Sequence, residues 1–162
     1  MKVLTILIVL LALAGVIVST MALKEHWSNE VSPCKINAVW DCGTVNKSRY
    51  AVFPPNPEFT AVAPDGSSGQ PSEGIHIPVA AIGAVGYALM AALAGRNRFA
   101  VIANAALALG AFCFALRLTY IEWKVLMTWC IYCVTSQSIV FLVMILTIIQ
   151  AIIAIRRRPQ TT

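Results

Sequence analysis

Four long apolar stretches most constrain what this sequence can fold into. They run from Val3 to Leu23, from Ile77 to Gly95, from Phe99 to Leu118, and from about Val125 to Ile155. An α-helix rises about 1.5 Å per residue, so about 20 apolar residues cross the roughly 30 Å hydrocarbon core of a bilayer. Inside lipid the backbone must satisfy its own hydrogen bonds, which favours helices. The sequence therefore predicts four transmembrane helices at these positions.

The composition and the connections define the fold class. Of the 162 residues, 59% are apolar and only 12% are charged, whereas soluble domains carry roughly 25% charged residues. The connections after the second and third spans are short, so those helices must be antiparallel neighbours. The remaining connection, residues 24–76, is long; we call it the outer loop. We expect a single all-α integral membrane domain, a four-transmembrane-helix bundle in which the outer loop forms a large extracytoplasmic cap.

The charges predict the orientation of the chain. Six of the twelve basic residues flank the spans on one face: Lys2, Arg96, Arg98, Arg156, Arg157 and Arg158. All seven acidic residues fall on the other face: Glu25, Glu30, Asp41, Glu58, Asp65, Glu73 and Glu122. The positive-inside rule then places both termini in the cytoplasm and the outer loop in the periplasm or the lumen. The net charge of +5 is thus a signal of topology, and we expect no nucleic-acid partner.

The first span has an alternative interpretation. Lys2, an apolar stretch and the small residues of "STMA" also occur in secretory signal peptides. Its apolar region is longer than the roughly 7–15 residues of such peptides, and its removal would leave an odd number of spans. We therefore expect the first span to be retained in the membrane.

Four of the five cysteines are predicted at one membrane face. Cys34 and Cys42 lie in the outer loop, and Cys130 and Cys133 lie in the first turns of the fourth span, whereas Cys113 is mid-span. That face is the oxidising one, where disulfides persist. Cys130 and Cys133 are three residues apart and can close a disulfide, and a helix N-terminus favours the thiolate. The pattern indicates thiol–disulfide chemistry.

Other interpretations of the cysteines stay open on spacing alone. Four sulfurs could bind zinc, although an oxidising face disfavours free thiolates, and we expect no metal. Cys34 and Cys42 could form a purely structural disulfide, and four cysteines allow three pairings. Cys113 has no partner in the sequence and is predicted to be a small buried apolar residue.

The combined motif resembles the vitamin K epoxide reductase family. It consists of the loop pair Cys34 and Cys42, Ser48 six residues beyond, and "CIYCVT" at the opening of the last span. Bacterial quinone-linked oxidases of the DsbB type also have four spans and two cysteine pairs, but their C-x-x-C comes first. The resemblance covers nearly the whole chain and suggests the single-domain, four-span form of the family.

The resemblance implies a role for each matched residue. Cys130 and Cys133 match the active-site pair of the family, in which Cys133 meets a quinone or an epoxide. Cys42 matches the cysteine that exchanges with Cys130, and Cys34 matches the one attacked by a thioredoxin-like partner. Ser48 matches a serine close to the active site. The implied activity passes electrons from protein thiols to a quinone and supports disulfide-bond formation.

The resemblance also implies a quinone site between the helices. Val79 stands where the vertebrate enzymes have an asparagine that binds the substrate, and Gln137 stands where they have a tyrosine. Both departures change polar contacts to the ring oxygens and favour a plain quinone (ubiquinone, menaquinone or a vitamin K-type quinone) over the epoxide. The candidate quinone contacts are Val79, Ile82, Gly83, Tyr87, Phe112, Leu116 and Gln137.

A structural protein of the claudin type is the rival from another class. Such proteins also have four spans and a spaced cysteine pair in a large first outer loop. This chain has "VWDCG" instead of their W-x-x-W-C arrangement, and its last span opens with C-x-x-C. Bound quinone and an absorbance change that depends on a dithiol would distinguish the enzyme from the structural protein.

Overall fold

A computed structural model describes residues 2–28, 32, 34–37, 39–55 and 76–156. Its elements, in chain order, are α1 Lys2–Trp27, α2 Cys42–Asn46, β1 Val52–Phe53, β2 Ile77–Pro78, α3 Val79–Leu93, α4 Arg98–Ile121 and α5 Ile131–Arg156. A π-helical turn, Glu122–Leu126, follows α4 directly. The Pro-, Gly- and Ser-rich half of the predicted cap lies, over residues 56–75, outside the described part of the chain.

The four long helices α1, α3, α4 and α5 pack around one apolar core. Each helix contributes at least one side chain, including Ile8, Met90, Ala108 and Val143, of which none is more than 1% exposed. The α1–α3 contact is close, because a Cβ at Gly15 would lie 2.5 Å from ring atoms of Tyr87. A helix–helix approach of this kind requires glycine. The close contact of Tyr87 with Gly15 thus helps to hold α3 against α1.

The helices support a place in the membrane. In the part of the chain that is described, three helical segments are long and apolar enough to cross a bilayer: α1, α4 with its π-helical turn, and α5. Large apolar side chains point outward from the bundle, as for Leu10 at 58% and Phe99 at 81% exposure. Such a surface is stable in lipid and unfavourable in water. The chain is therefore an integral membrane protein.

The second predicted span is shorter than the sequence suggested. Residues 77 and 78 form strand β2, and α3 covers only 15 residues, Val79–Leu93. At about 1.5 Å per residue the helix is about 22 Å long, less than the hydrocarbon core of a typical bilayer. Gly95, whose φ of 70° is in the left-handed region, closes the turn into α4. That residues 77–95 span the membrane stays a prediction.

The start of the fourth predicted span needs a correction. The helix α5 begins at Ile131, not near Val125. Met127, with a φ of 50°, adopts a left-handed conformation that ends the π-helical turn and breaks the helical path. Cys130 consequently precedes the helix, as its N-terminal capping residue, and its carbonyl accepts the Val134 N–H at 3.0 Å. Only Cys133 lies in the first turn.

Local contacts fasten the described outer-loop residues to the bundle. The segment "DCGTVNKSRY" contains a short helix, α2, Cys42–Asn46. Strands β1 and β2 pair antiparallel, with Val52 opposite Pro78. His26 at the end of α1 contacts the Asn46 carbonyl through Nδ1. These contacts place α2 over the end of the bundle where α5 begins.

Candidate functional site

Cys34 and Cys42 form a disulfide in this structure. Their Cα atoms are 5.8 Å apart, within the usual range for such a bond. Cys42 is the first residue of α2, and Asp41 caps that helix by accepting the Thr44 N–H at 3.1 Å. The local sequence therefore fixes the orientation of Cys42 through a capped helix N-terminus.

A backbone bridge brings Cys42 next to Cys130. The Trp129 N–H donates to the Val39 carbonyl at 2.8 Å, and the Asp41 N–H donates to the Trp129 carbonyl at 3.1 Å. Cys42 directly follows Asp41, and Cys130 directly follows Trp129. Neither cysteine has any exposed surface. Cys34, Cys42, Val45 and Cys130 form one buried cluster, with Cys133 packed against it. Four sulfurs that are far apart in the sequence thus share one site.

Two donors point at the sulfur of Cys130. The Cys133 N–H and the Asn46 side-chain amide each donate to Cys130 Sγ at 3.4 Å. Asn46 also donates to the Cys42 carbonyl at 2.9 Å, so one amide connects the two cysteine pairs. The interaction with the Cys133 side chain is the largest cause of a lowered pKa of Cys130; burial and the nearby carboxyl group of Glu122 oppose it, while the Cys133 N–H and Asn46 add to it. These contacts therefore favour the thiolate form of Cys130 more than an ordinary cysteine environment does.

Cys133 faces a different environment, a cavity of about 500 Å³ between the helices. The lining is mainly apolar and comes from α1, α2 and the segment after it, α3, α4, the π-helical turn and α5. Cys133 is in this lining, whereas Cys34, Cys42 and Cys130 are not. The two cysteines of the C-x-x-C motif thus have different neighbours. Cys130 packs against the loop disulfide, and Cys133 lines the cavity.

Most of the predicted quinone contacts line this cavity. They are Val79, Ile82, Gly83, Tyr87 and Gln137, and the predicted site serine, Ser48, lines it as well. The Tyr87 hydroxyl donates to the Ser136 carbonyl at 2.7 Å, and Gln137 accepts a hydrogen bond from Thr119. Ser48 donates to the Val45 carbonyl at 2.8 Å. The polar groups of the cavity are therefore held in place by protein partners.

Phe112 and Leu116 lie outside the cavity lining. The Phe112 ring packs against Phe141, with centroids 5.3 Å apart, and Leu116 is 45% exposed on the outer surface. The helix α4 presents Phe114 and Ala115 to the cavity instead. At these two positions the sequence-based prediction and the lining of this cavity therefore name different faces of α4.

Two polar residues of the site carry no role in the sequence-based prediction. Asn46 lies on α2 between the cysteine pairs, and Glu122 lies at the end of α4. The Glu122 side chain is only 3% exposed, and its Oε2 accepts the Cys130 N–H at 3.2 Å. A carboxylate at the end of an apolar span, eight residues before Cys130, is a signal that the sequence does contain.

Two further sequence-based interpretations concern Cys113 and a possible zinc site. Cys113, predicted to be buried, is exposed on the outside of α4, so that prediction is wrong. The zinc alternative concerns the other four cysteines. Among the residues with described positions, no group of three or more histidine, cysteine or acidic side chains is arranged to hold a metal ion. The disulfide moreover removes two of the four sulfurs that a zinc site would use.

A membrane-embedded set of cysteines beside an apolar cavity defines a class, the membrane thiol oxidoreductases. The model of the vitamin K epoxide reductase family matches residues 6–148, which is most of the chain. The chain belongs to the vitamin K epoxide reductase family. It is thus an oxidoreductase of a family that acts on thiols and quinones and generally works with thioredoxin-like partners. Among curated proteins, none matches this sequence.

Proposed function

We propose that this protein is a thiol–quinone oxidoreductase that supports disulfide-bond formation. It takes electrons from a thioredoxin-like protein at the Cys34/Cys42 pair, passes them to the Cys130/Cys133 pair, and transfers them to a quinone in the cavity. The main support for the proposal is that the two cysteines of the C-x-x-C motif have different surroundings. Cys130 packs in one cluster with the loop disulfide, and Cys133 lines the cavity.

The first step is the entry of electrons at the loop pair. A thiolate of the partner attacks Cys34, which breaks the Cys34–Cys42 bond and releases Cys42 as a thiolate. Of the two residues, only Cys34 has any exposed surface, 8% against none for Cys42. Attack at Cys34 therefore needs a smaller rearrangement than attack at Cys42. A second thiol of the partner then displaces Cys34 and leaves with a disulfide.

The second step is exchange between the pairs. The Cys42 thiolate attacks Cys130 in a Cys130–Cys133 disulfide, forming a Cys42–Cys130 bond and releasing Cys133. Cys34 then attacks Cys42, which re-forms the loop disulfide and releases Cys130. The lowered pKa of Cys130 makes its thiolate a good leaving group. Asn46 holds both reacting residues through its two hydrogen bonds.

The third step returns the inner pair to its oxidised form. A quinone accepts two electrons and two protons and thereby becomes a quinol. Cys130 and Cys133 supply the two electrons as their S–S bond forms, and the two protons derive from the dithiol of the partner. Cys133 is the sulfur at the cavity wall, so it is the one that faces the oxidant.

The cavity fits a quinone ring better than an epoxide. Its volume of about 500 Å³ is within the range of small-molecule sites, and its wall is mainly apolar. Val79 offers no hydrogen bond, and the Gln137 side-chain oxygen already accepts one from Thr119. These two positions thus offer few polar contacts to the oxygens of an epoxide substrate. We therefore propose a plain quinone as the acceptor.

The proposed orientation follows from the charges. With both termini in the cytoplasm, four spans and the outer loop as a cap, the cysteine site faces the periplasm or the lumen. Glu25, Asp41 and Glu122 are at the same end of the bundle as the site, and Arg96, Arg98 and Arg156 are at the other. Such a site is accessible to secreted thiol proteins.

Quinol production by purified protein tests the proposal. With a reduced thioredoxin-like donor and a soluble quinone, wild-type protein should form quinol, and Cys130→Ser and Cys133→Ser should abolish it. Cys34→Ser and Cys42→Ser should abolish turnover with the protein donor. A small dithiol such as dithiothreitol should partly restore Cys34→Ser by reaching the inner pair directly.

Cys113→Ser is the matched control, because Cys113 is a cysteine of the same chain outside the site. It should retain the wild-type rate. Quinol formation by Cys133→Ser at the wild-type rate would contradict the proposal, as would a wild-type protein that forms none.

A further inference from the structure

We infer that Glu122 carries a proton between Cys133 and the quinone in the cavity. The inference rests on the proposed function and adds to it the group that delivers the proton. The motivation is chemical. Reduction of a quinone takes up two protons, and an apolar cavity holds few groups that can supply them.

Glu122 is in the right place for this role. It lines the cavity together with Cys133. One of its oxygens accepts the Cys130 N–H at 3.2 Å, and the carboxyl group also interacts with the Cys133 side chain. Its position is fixed by the π-helical turn, in which Glu122 is the first residue. The carboxyl group thus touches both members of the inner pair and the space beside them.

The surroundings of Glu122 favour a carboxyl group that holds a proton. The side chain is 3% exposed, and it is the only acidic residue in the described lining of the cavity. That lining contains no lysine, arginine or histidine, and no ion pair to Glu122 occurs among the described residues. A carboxyl group buried without a cation is more stable in its neutral form. Glu122 therefore stores one proton at the cavity wall.

The transfer balances in atoms and charge. As the S–S bond of Cys130 and Cys133 forms, two electrons leave the sulfurs for the quinone. Glu122 donates its proton to the nearer quinone oxygen and becomes a carboxylate. The carboxylate then takes the proton of the Cys133 thiol, which the sulfur loses as it is oxidised. One of the two protons of the quinol thus comes through Glu122, and the other comes from the donor dithiol through water at the outer face.

A purely structural role is the alternative, and Glu122→Gln separates the two. Glutamine keeps an oxygen that can accept the Cys130 N–H, but it cannot carry a proton. We expect quinol formation to fall roughly a hundredfold, in the range of general acid–base catalysis. Exchange between Cys42 and Cys130, followed without quinone, should stay at the wild-type rate. Glu122→Asp should recover part of the loss, because it restores an acid at a shorter reach.

Glu25→Gln is the matched control. Glu25 is also a buried carboxyl group, 5% exposed, but it lies at the end of α1 outside the cavity lining. Its replacement should leave quinol formation unchanged. Infrared spectra of quinone-free protein give a second readout: the protonated-carboxyl absorption of wild type should lose the contribution of Glu122 in Glu122→Gln.

The outcomes separate this inference from the proposed function. Active wild-type protein together with Glu122→Gln at the same rate would overturn the proton role and leave the thiol–quinone activity standing. Protonated-carboxyl absorption that persists unchanged in Glu122→Gln would overturn it as well, whether or not that variant folds well enough to turn over. Inactive wild-type protein would instead contradict the proposed function on which the inference rests.

Discussion

At the scale of the residue, Asn46 connects the two halves of the site. Its side-chain amide donates to the Cys42 carbonyl and to Cys130 Sγ, and its own carbonyl is in contact with His26. A neutral donor stabilises a thiolate without adding a charge to a buried site. The largest cause of the lowered pKa of Cys130 is the interaction with the Cys133 side chain, and Asn46 adds to it at the point where the two pairs meet.

Replacing Asn46 with leucine, a side chain of similar size, should raise the pKa of Cys130. The thiolate loses a donor, so it forms only at a higher pH than in the wild type. A hydrogen bond to a charged group contributes about 1.5 kcal/mol or more, so exchange with Cys42 should slow roughly tenfold. The first measurement is the pH dependence of thiolate absorbance in reduced protein that carries Cys34→Ser, Cys42→Ser and Cys113→Ser. Superimposable titration curves with and without Asn46 would show that Asn46 has no such role.

At the scale of the element, the two helix ends beside the site depend on capping. Asp41 caps α2 through the Thr44 N–H, and Cys130 caps α5 through the Cys133 N–H. Each cap lies at, or directly before, a cysteine of the site. Burial opposes a lowered pKa of Asp41, but the hydrogen bonds from Thr44 and the Lys35 ammonium overcome it, so its pKa is lowered. The cap of α2 therefore persists to acid pH.

Asp41→Ala should remove the cap and destabilise the protein by about 1 kcal/mol. Asp41→Asn is the matched control: it keeps a capping oxygen and loses only the partly exposed ion pair with Lys35, which contributes little. Thermal unfolding at neutral pH measures both. Because the folded pKa of Asp41 lies below its unfolded value, its stabilising contribution is present at neutral pH and is lost as the pH falls through the folded pKa. Equal stability of the Asp41→Ala variant and wild type would contradict a capping role.

The sequence predicts where the helices of this protein lie better than it predicts which face of each helix points inward or where each helix begins. Length and hydropathy locate α1, α4 and α5 because lipid tolerates no other backbone. Apolar residues surround these helices on all sides, so no periodicity shows which face is inside. The sequence therefore does not distinguish Phe112 from Phe114 as the residue that faces the cavity. The break before α5 depends on the left-handed conformation of Met127, which no local residue preference announces.

At the scale of the whole molecule, the cysteine pairs meet because a loop folds back onto a helix end. The sequence predicts that Cys34, Cys42, Cys130 and Cys133 share one membrane face, since that follows from topology. It does not predict the bridge between the segments at Trp40 and Trp129, which brings Cys42 and Cys130 side by side. Such a contact joins residues far apart in the chain and depends on how the bundle packs. Glu122 and Asn46 belong to the site for the same reason.

The bridge makes the central claim testable by trapping one bond. Protein with Cys34→Ser and Cys133→Ser retains Cys42, Cys130 and, as an internal control, Cys113. Mild oxidation should link Cys42 to Cys130 and leave Cys113 free, because Cys42 and Cys130 pack in one buried cluster. The companion protein with Cys34→Ser and Cys130→Ser should link Cys42 to Cys133 much more slowly, because Cys133 lies on the cavity side.

Peptide mapping of the oxidised membrane protein shows which two cysteines have become linked. The account predicts a Cys42–Cys130 peptide as the main linked species, formed without added quinone. Absence of that peptide, or its formation no faster than a Cys42–Cys133 link, would contradict the transfer of electrons between the two pairs.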